Sequence, residues 1–425
     1  MKKKTLVAMA ALATLAGHAS AQSSVTLFGV VDAGVSYYET TSKFDSKGVP
    51  QTVARPDLKQ SQTALSNSGN ASTRIGVRGQ EDLGGGLGAA FWLEGSLWND
   101  VGAVGRSGLL FDRRSTVSLL GRFGELRLGR DYTPTFWNDA IFDPFGVVGV
   151  GTSIIAQTLG STLPTLALNR GNYARKSNSV GYFLPANLGG FYGQAMYAFS
   201  ENVESPPIQN DRAAANNSRT GDYVGARAGY ANGSLDVALA YGYSTIADNY
   251  VFGSTTNVKT TNLGASYDFG VVKLYGEYSM VNVRTDFANQ PAFPFTPALT
   301  PPLDVDTHNF LVGLSVPVGP GLIKASYSRV KGQFYNFTAT GRTPMVTDDP
   351  QADKLALGYV HNLSKRTALY ATAAWTKNKY GAAVPVANVS STDVQPGYTN
   401  TVNSSAPGYQ ADRGVGYDFG IRHAF

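Results

Sequence analysis

From Val25 to the last residue the chain alternates apolar and polar side chains with a period of two, in segments about ten residues long. Leu235, Val237, Leu239, Tyr241 and Tyr243 fall on one side of such a segment, and Asp236, Ala238, Ala240 and Gly242 on the other. Val272, Leu274, Tyr278 and Met280 alternate in the same way with Lys273, Tyr275, Glu277 and Ser279, and Leu369, Ala371, Ala373 and Trp375 with Tyr370, Thr372, Ala374 and Thr376. Only an extended strand puts successive side chains on opposite faces, so each segment is expected to be a strand with one greasy and one polar face. Roughly sixteen can be drawn: 25–38, 71–81, 87–98, 111–120, 124–131, 173–184, 190–200, 222–231, 234–246, 257–268, 271–284, 305–316, 321–333, 352–362, 366–378 and 412–425.

The connections alternate between short and long. Short turns fall at 83–86, 121–124, 185–190, 231–233, 269–270, 317–321 and 362–365. Longer connections rich in Pro, Asn, Asp, Ser and Thr fall at 39–70, 99–110, 132–172, 201–221, 247–256, 285–304, 334–351 and 379–411. One layer of strands with this rhythm predicts an all-β architecture, a 16-stranded antiparallel transmembrane β-barrel with short periplasmic turns and long outer loops. A soluble sandwich or propeller is the competing all-β reading, and it does not explain the alternation of short and long. Tyr417, Phe419, Ile421, His423 and Phe425 place a final strand at the very end of the chain, where Val25–Ser36 can pair with it and leave no open edge in lipid. A barrel of this size encloses water rather than a side-chain core.

Met1-Lys2-Lys3-Lys4, an apolar stretch to Gly17 and Ala19-Ser20-Ala21 form a secretory signal, so residues 1–21 are expected to be cleaved and 22–425 to form the barrel. No later apolar run approaches the eighteen or so residues of a membrane-spanning helix. The net charge of +5 includes Lys2, Lys3 and Lys4, leaving +2 beyond the signal, which gives no support to nucleic-acid binding. With no cysteine there is neither a disulfide nor a thiolate site. Only His308, His361 and His423 remain beyond the signal, tied to no nucleophile, so an enzyme is not expected; Gly84-Gly85-Gly86-Leu87-Gly88 joins two strands and lacks the helix that a phosphate-binding loop needs. No cofactor or metal is expected, Asp304 and Asp306 being the one acidic pair that could hold a cation at the outer rim.

The third long connection is too long to be idle and too apolar, at Phe145–Val150 and Ile154–Ile155, to stand in water, so it is expected to pack on the inner wall. Ser24-Val25-Thr26-Leu27-Phe28-Gly29, Ser72-Thr73-Arg74-Ile75-Gly76, Gly79-Gln80-Glu81-Asp82-Leu83-Gly84, Gly124-Glu125-Leu126-Arg127-Leu128-Gly129-Arg130 and Gly420-Ile421-Arg422-His423-Ala424-Phe425 together closely resemble the general, trimeric porins of Gram-negative bacteria. The resemblance spans the chain beyond the signal. It implies an outer-membrane homotrimer among lipid and lipopolysaccharide, inserted by the barrel assembly machinery through the terminal Phe425, and a channel for small hydrophilic solutes and ions.

It further implies a constriction with Arg74, Arg113 and Arg175 on the wall and Asp139 and Asp143 on the inserted loop, Arg113 being preferred to Arg114 from the resemblance. Parity adds Arg78 and Arg127 as a basic track along the lumen and places Arg130 on the outer face, where a trimer contact to Glu94 or Asp100 would explain a charge in lipid. Several arginines against two acids predict modest anion preference. The alternative is a channel specific for sugars or organic anions, kept open by Tyr132, Phe136 and Trp137.

Overall fold

The computed structural model describes residues 24–44, 55–106, 108–155, 173–202, 219–249, 254–287, 303–338, 341–344, 349–387, 398 and 408–425. Strand β1 is Ser24–Phe44, and β2 runs in two pieces, Leu58–Asn67 and Arg74–Gly84, both paired with β1. Then come β3 (Leu87–Trp98), β4 (Arg114–Gly121), β5 (Gly124–Tyr132), β6 (Arg175–Phe183) and β7 (Phe191–Ala198). They are followed by β8 (Tyr223–Asn232), β9 (Leu235–Asn249), β10 (Ser254–Asp268) and β11 (Lys273–Phe287). The last five are β12 (Leu303–Val318), β13 (Gly321–Thr338), β14 (Gln351–Asn362), β15 (Thr367–Lys379) and β16 (Tyr409–Ala424). Each strand is antiparallel to the next, and β16 pairs with β1 from Val30↔Ala424 to Phe44↔Tyr409, closing a 16-stranded barrel. At the seam the Phe425 amide donates to the Gly29 carbonyl and the Gly29 amide to the Phe425 carbonyl, both at 3.1 Å.

The alternation decides which way each side chain points. Leu355 and Leu357 are 50% and 59% exposed while Ala356 between them is 7% exposed, and Leu239 is 53% exposed between Ala238 at 2% and Ala240 at 1%. The apolar face is therefore the outside. Such a continuous apolar surface would aggregate in water, and acyl chains are the solvent that suits it. Asn262, Ser279, Asn309, Ser328 and Thr376, all buried, line the inner face. At the turn 84–86 each glycine has positive φ, +80, +62 and +83, a backbone that a side chain would strain.

Two connections depart from the sequence expectation. β1 continues to Phe44 and β2 begins at Leu58, so the first long connection is shorter than 39–70. The polar composition there misled because an outer strand end standing above the lipid need not be apolar. β2 is instead broken at 68–73, where the chain bulges inward: Asp32 Oδ2 accepts from the amides of Asn70 at 2.9 Å and Ala71 at 2.7 Å. The segment after β15 also turns inward, where Ala382, Val384, Val386 and Ala387 are buried against the lumen wall.

The third connection enters the barrel. It opens with helix α1, Pro134–Phe142, started by Thr133, whose Oγ1 accepts from the Phe136 amide at 3.3 Å, with proline at the first helical position. α1 lies against β8 to β11, and the following residues continue along the wall. Phe142 meets Gly264 of β10, Pro144 meets Gly313 of β12, Phe145 meets Gly358 of β14 and Val150 meets Gly416 of β16. These glycines leave a furrow in the inner wall that the loop fills. Val150 N donates to Asp418 Oδ2 at 2.8 Å and Ile154 N to Ser328 Oγ at 3.1 Å, pinning the far end.

Candidate pore constriction

Across the lumen from the loop furrow, β2 to β6 gather Arg74, Arg113 immediately before β4, and Arg175 round the Glu94 carboxylate and the Tyr132 phenol. Glu94, on the inner face of β3, accepts from Arg113 Nε through Oε1 at 2.5 Å, lies 3.8 Å from Arg74 Nε and accepts from Trp92 Nε1 through Oε2 at 3.1 Å. The Tyr132 hydroxyl at the end of β5 accepts from Arg113 Nη2 at 2.6 Å and Arg175 Nη2 at 3.0 Å, and the Arg175 guanidinium stands 4.5 Å above the Tyr132 ring. Phe136, stacked on that ring at 5.5 Å, ties the cluster to α1. Arg113 is 9% exposed and fixed, while the Arg175 Nε has no partner among the described residues. Two of these cations, Arg74 and Arg113, face Glu94, and the buried Asp112 carboxylate adjoins Arg113, so the guanidiniums outnumber the carboxylates.

Lower in the lumen the balance differs. Arg127 is held by Glu125, with Nε to Oε1 at 2.7 Å and Nη2 to Oε2 at 2.8 Å, and by Asp131, whose other oxygen lies 3.5 Å from Arg114. Two arginines thus meet two carboxylates. Arg78 has instead the rings of Phe28 and Trp92, at 5.4 and 5.0 Å, an arrangement suited to a guanidinium left exposed to water.

The loop acids do not face this cluster. Asp139 is fully buried against β10 and β11, accepting from Asn262 Nδ2 at 2.6 Å beside the Glu277 carboxyl, and burial pushes its carboxyl up to about 6. Asp143 accepts from the Phe145 and Ser153 amides, both at 2.8 Å, and burial raises its carboxyl too. The expectation that Asp139 and Asp143 form the acidic side of the gap is therefore corrected: they dock and shape the loop. Spacing within a loop cannot say which way a helix turns its carboxylates.

Arg130 lies on the outer face, donating from Nε to the Asp112 carbonyl at 2.7 Å and from Nη1 to Ser177 Oγ at 2.8 Å. Glu94 is committed to the lumen, and Asp100 accepts from Asn67 Nδ2 at 2.9 Å. Asp304 and Asp306 face Arg284, at 3.7 and 2.6 Å, which gives these two carboxylates a resident cation of their own. Sequence reasoning missed Glu94 and Tyr132 as parts of the cluster. It also missed Arg227, which is buried and donates to Asn138 Oδ1 at 2.5 Å and the Tyr192 hydroxyl at 2.9 Å, anchoring α1. Parity already puts Glu94 on the face opposite Leu93, a signal that could have found it.

A closed barrel, lipid-seeking outside and lined with charge within, narrowed by a loop folded into its lumen, is a transmembrane diffusion channel. The chain belongs to the Gram-negative porin family, whose family model matches residues 8–381. It is an outer-membrane porin, a passive channel rather than an enzyme. Over 429 aligned residues, all of both chains, it is 36% identical to outer membrane porin protein 32 of Delftia acidovorans. It is 33% identical over 397 residues to an outer membrane porin protein of Bordetella pertussis, covering 88% of this chain and 94% of that one. Among solved structures, the anion-selective porin from Comamonas acidovorans superposes with a TM-score of 0.68 at 33% identity, over 95% of this chain and 100% of that one. The trimer form of OmpT from Vibrio cholerae, 14% identical, shares the fold with a TM-score of 0.57 over 95% of this chain and 99% of that one.

Proposed function

We propose that this porin prefers small anions, and that Arg74, Arg113 and Arg175 set the preference. The observation that carries the reading is the excess of guanidiniums over carboxylates: Glu94 bonds Arg113 and faces Arg74 at 3.8 Å, the buried Asp112 adjoins Arg113, and Arg175 is joined to Arg113 through the Tyr132 hydroxyl. Arginine stays charged beside other arginines, so the cluster keeps a fixed positive potential at the narrowed level of the lumen. Arg78 extends it, while Arg127 is balanced by its acids. The solved relative described as anion-selective supports the same sign.

Residues 1–21 act as the export signal, 22–425 as the barrel, and Phe425 as the terminal residue that the assembly machinery reads. Three chains assemble through the outer face of the first strands and β16, with Arg130 in that surface. The selectivity is tested in a planar bilayer under a salt gradient. Replacing Arg74, Arg113 and Arg175 together by glutamine is expected to move the reversal potential toward cations, and an unmoved potential would end this reading.

A further inference from the structure

Behind the inserted loop, where α1 lies on the wall, the barrel buries a set of oxygen atoms that no protein group satisfies. Asp139 Oδ2, Asn262 Oδ1, both carboxylate oxygens of Glu277, Ser279 Oγ and Asn309 Oδ1 have no hydrogen-bond partner among the described residues. Glu277 is 4% exposed and the other four residues 0%. The register brings them together. Asn262 of β10 stands opposite Ser279 of β11, and Ser279 opposite Asn309 of β12, all on the inner face. Glu277 lies two residues from Ser279 on that same face, opposite Gly264. Asp139 meets them from α1, accepting from Asn262 Nδ2 at 2.6 Å through its other oxygen and lying beside the Glu277 carboxyl.

The donors nearby are already engaged. Asn262 Nδ2 also serves the Thr135 carbonyl at 2.9 Å, and Asn309 Nδ2 serves the Ser279 carbonyl and Thr307 Oγ1, both at 3.2 Å, so in each amide it is the oxygen that is left over. Among the described residues no lysine or arginine neutralises Asp139 or Glu277. Of the six oxygens only the Ser279 hydroxyl carries a proton, and acceptors left unmade at this burial are costly. A proton shared between the two carboxyls would serve that pair alone, and a water would bring two donors to six acceptors. A cation is satisfied by acceptors only. Carboxylate, amide and hydroxyl oxygens without nitrogen or sulfur are the ligands of a hard ion, and two carboxylates match a double charge. Magnesium keeps several of its waters, whereas calcium takes a full set of protein oxygens.

We propose that Asp139, Asn262, Glu277, Ser279 and Asn309 bind a calcium ion that ties α1 to β10, β11 and β12. The ion joins a carboxylate of the loop to ligands of the wall, so loading the site fixes the constriction loop from behind. The lumen arginines take no part, so the site stands or falls separately from the anion preference.

The test is equilibrium dialysis of the intact protein, stripped with a chelator and held in a neutral detergent, against radioactive calcium at up to about 1 mM, the range of weak extracellular sites. One calcium per chain is expected for the wild type. Glu277→Gln keeps the size of the side chain and removes its charge, and it should bind roughly tenfold more weakly or worse, as lost support at a metal site does. Ser279→Ala, which removes one ligand and little bulk, should also bind more weakly. Asp304→Asn with Asp306→Asn, at the acidic pair beside Arg284, should bind like the wild type. In single-channel recording a chelator should raise the current noise of the wild type and leave that of Glu277→Gln unchanged. An absence of bound calcium on the wild type would overturn the proposal and leave the two carboxyls sharing a proton. Equal binding by the wild type and either Glu277→Gln or Ser279→Ala would overturn it as well. Loss of binding on changing Asp304 and Asp306 would move the ion to the outer rim, and displacement by an equal concentration of magnesium would refute the choice of calcium.

Discussion

Glu94 is the residue on which the charge of the constriction turns, because it is the carboxylate that Arg113 bonds and Arg74 faces. Its replacement by glutamine keeps the shape and an oxygen for Arg113 but removes the negative charge. The reversal potential of Glu94→Gln is expected to move further toward the anion limit. The difference should fade near 1 M salt, where the screening length falls to about 3 Å. A shift toward cations would mean that Glu94 matters only by holding the arginines in place. At this scale the sequence was partly legible. Arg74 could be placed because Ile75 and Val77 claim the other face, and Arg78 and Arg127 by the same parity. Asp139 and Asp143 were misread because they sit in a loop, where no period of two fixes direction and where burial against β10 and β11 is decided by packing. Glu94 went unread because a carboxylate in a strand announces a wet face but not which arginines it will meet across neighbouring strands.

The loop element depends on what the wall lacks. Phe142 sits where a side chain at Gly264 would stand, and Pro144 where one at Gly313 would stand. Leucine at Gly264 would collide with the Phe142 ring and lift α1 from the wall, since overpacking a filled site costs about 1–3 kcal/mol. Gly264→Leu is expected to change the single-channel conductance and to increase its noise. Gly276, where an added side chain meets nothing, provides the control, and Gly276→Leu should conduct like the wild type. Equal conductance of both variants would show that the loop holds its place without the furrow. The apolar run Phe145–Val150 made the loop's inward turn readable in advance. The furrow was not readable, because isolated glycines in strands look like bulges until the closed barrel brings those of β10, β12, β14 and β16 into line. The inward turn of 382–387 was hidden for a related reason: short apolar stretches within a polar loop carry no period.

The whole molecule is held by a closed circuit of strands, and its seam differs from every other pairing because its two strands come from opposite ends of the chain. Four strands round from the seam, the outer face of β5 carries Arg130, tied to the Asp112 carbonyl and Ser177. If this face is buried between subunits, Arg130→Ala should lower the temperature at which trimers dissociate on unheated gels, and an unchanged temperature would remove Arg130 from the interface. The seam itself ends in Phe425, whose backbone gives and takes one hydrogen bond with Gly29 and whose ring lies against Gly29. Deleting Phe425 leaves both Gly29 groups without partners where lipid excludes water, a loss of roughly 1 kcal/mol or more for each bond. The shortened chain should therefore refold into lipid vesicles with a lower yield of the heat-modifiable form. Phe425→Ala separates the two contributions, because it keeps the backbone bonds and removes only the ring. It should refold in vesicles nearly as well as the wild type and, if the aromatic end is what assembly reads, reach the outer membrane poorly in cells. Normal insertion of Phe425→Ala in cells would confine the role of the terminal residue to the two hydrogen bonds that close the barrel.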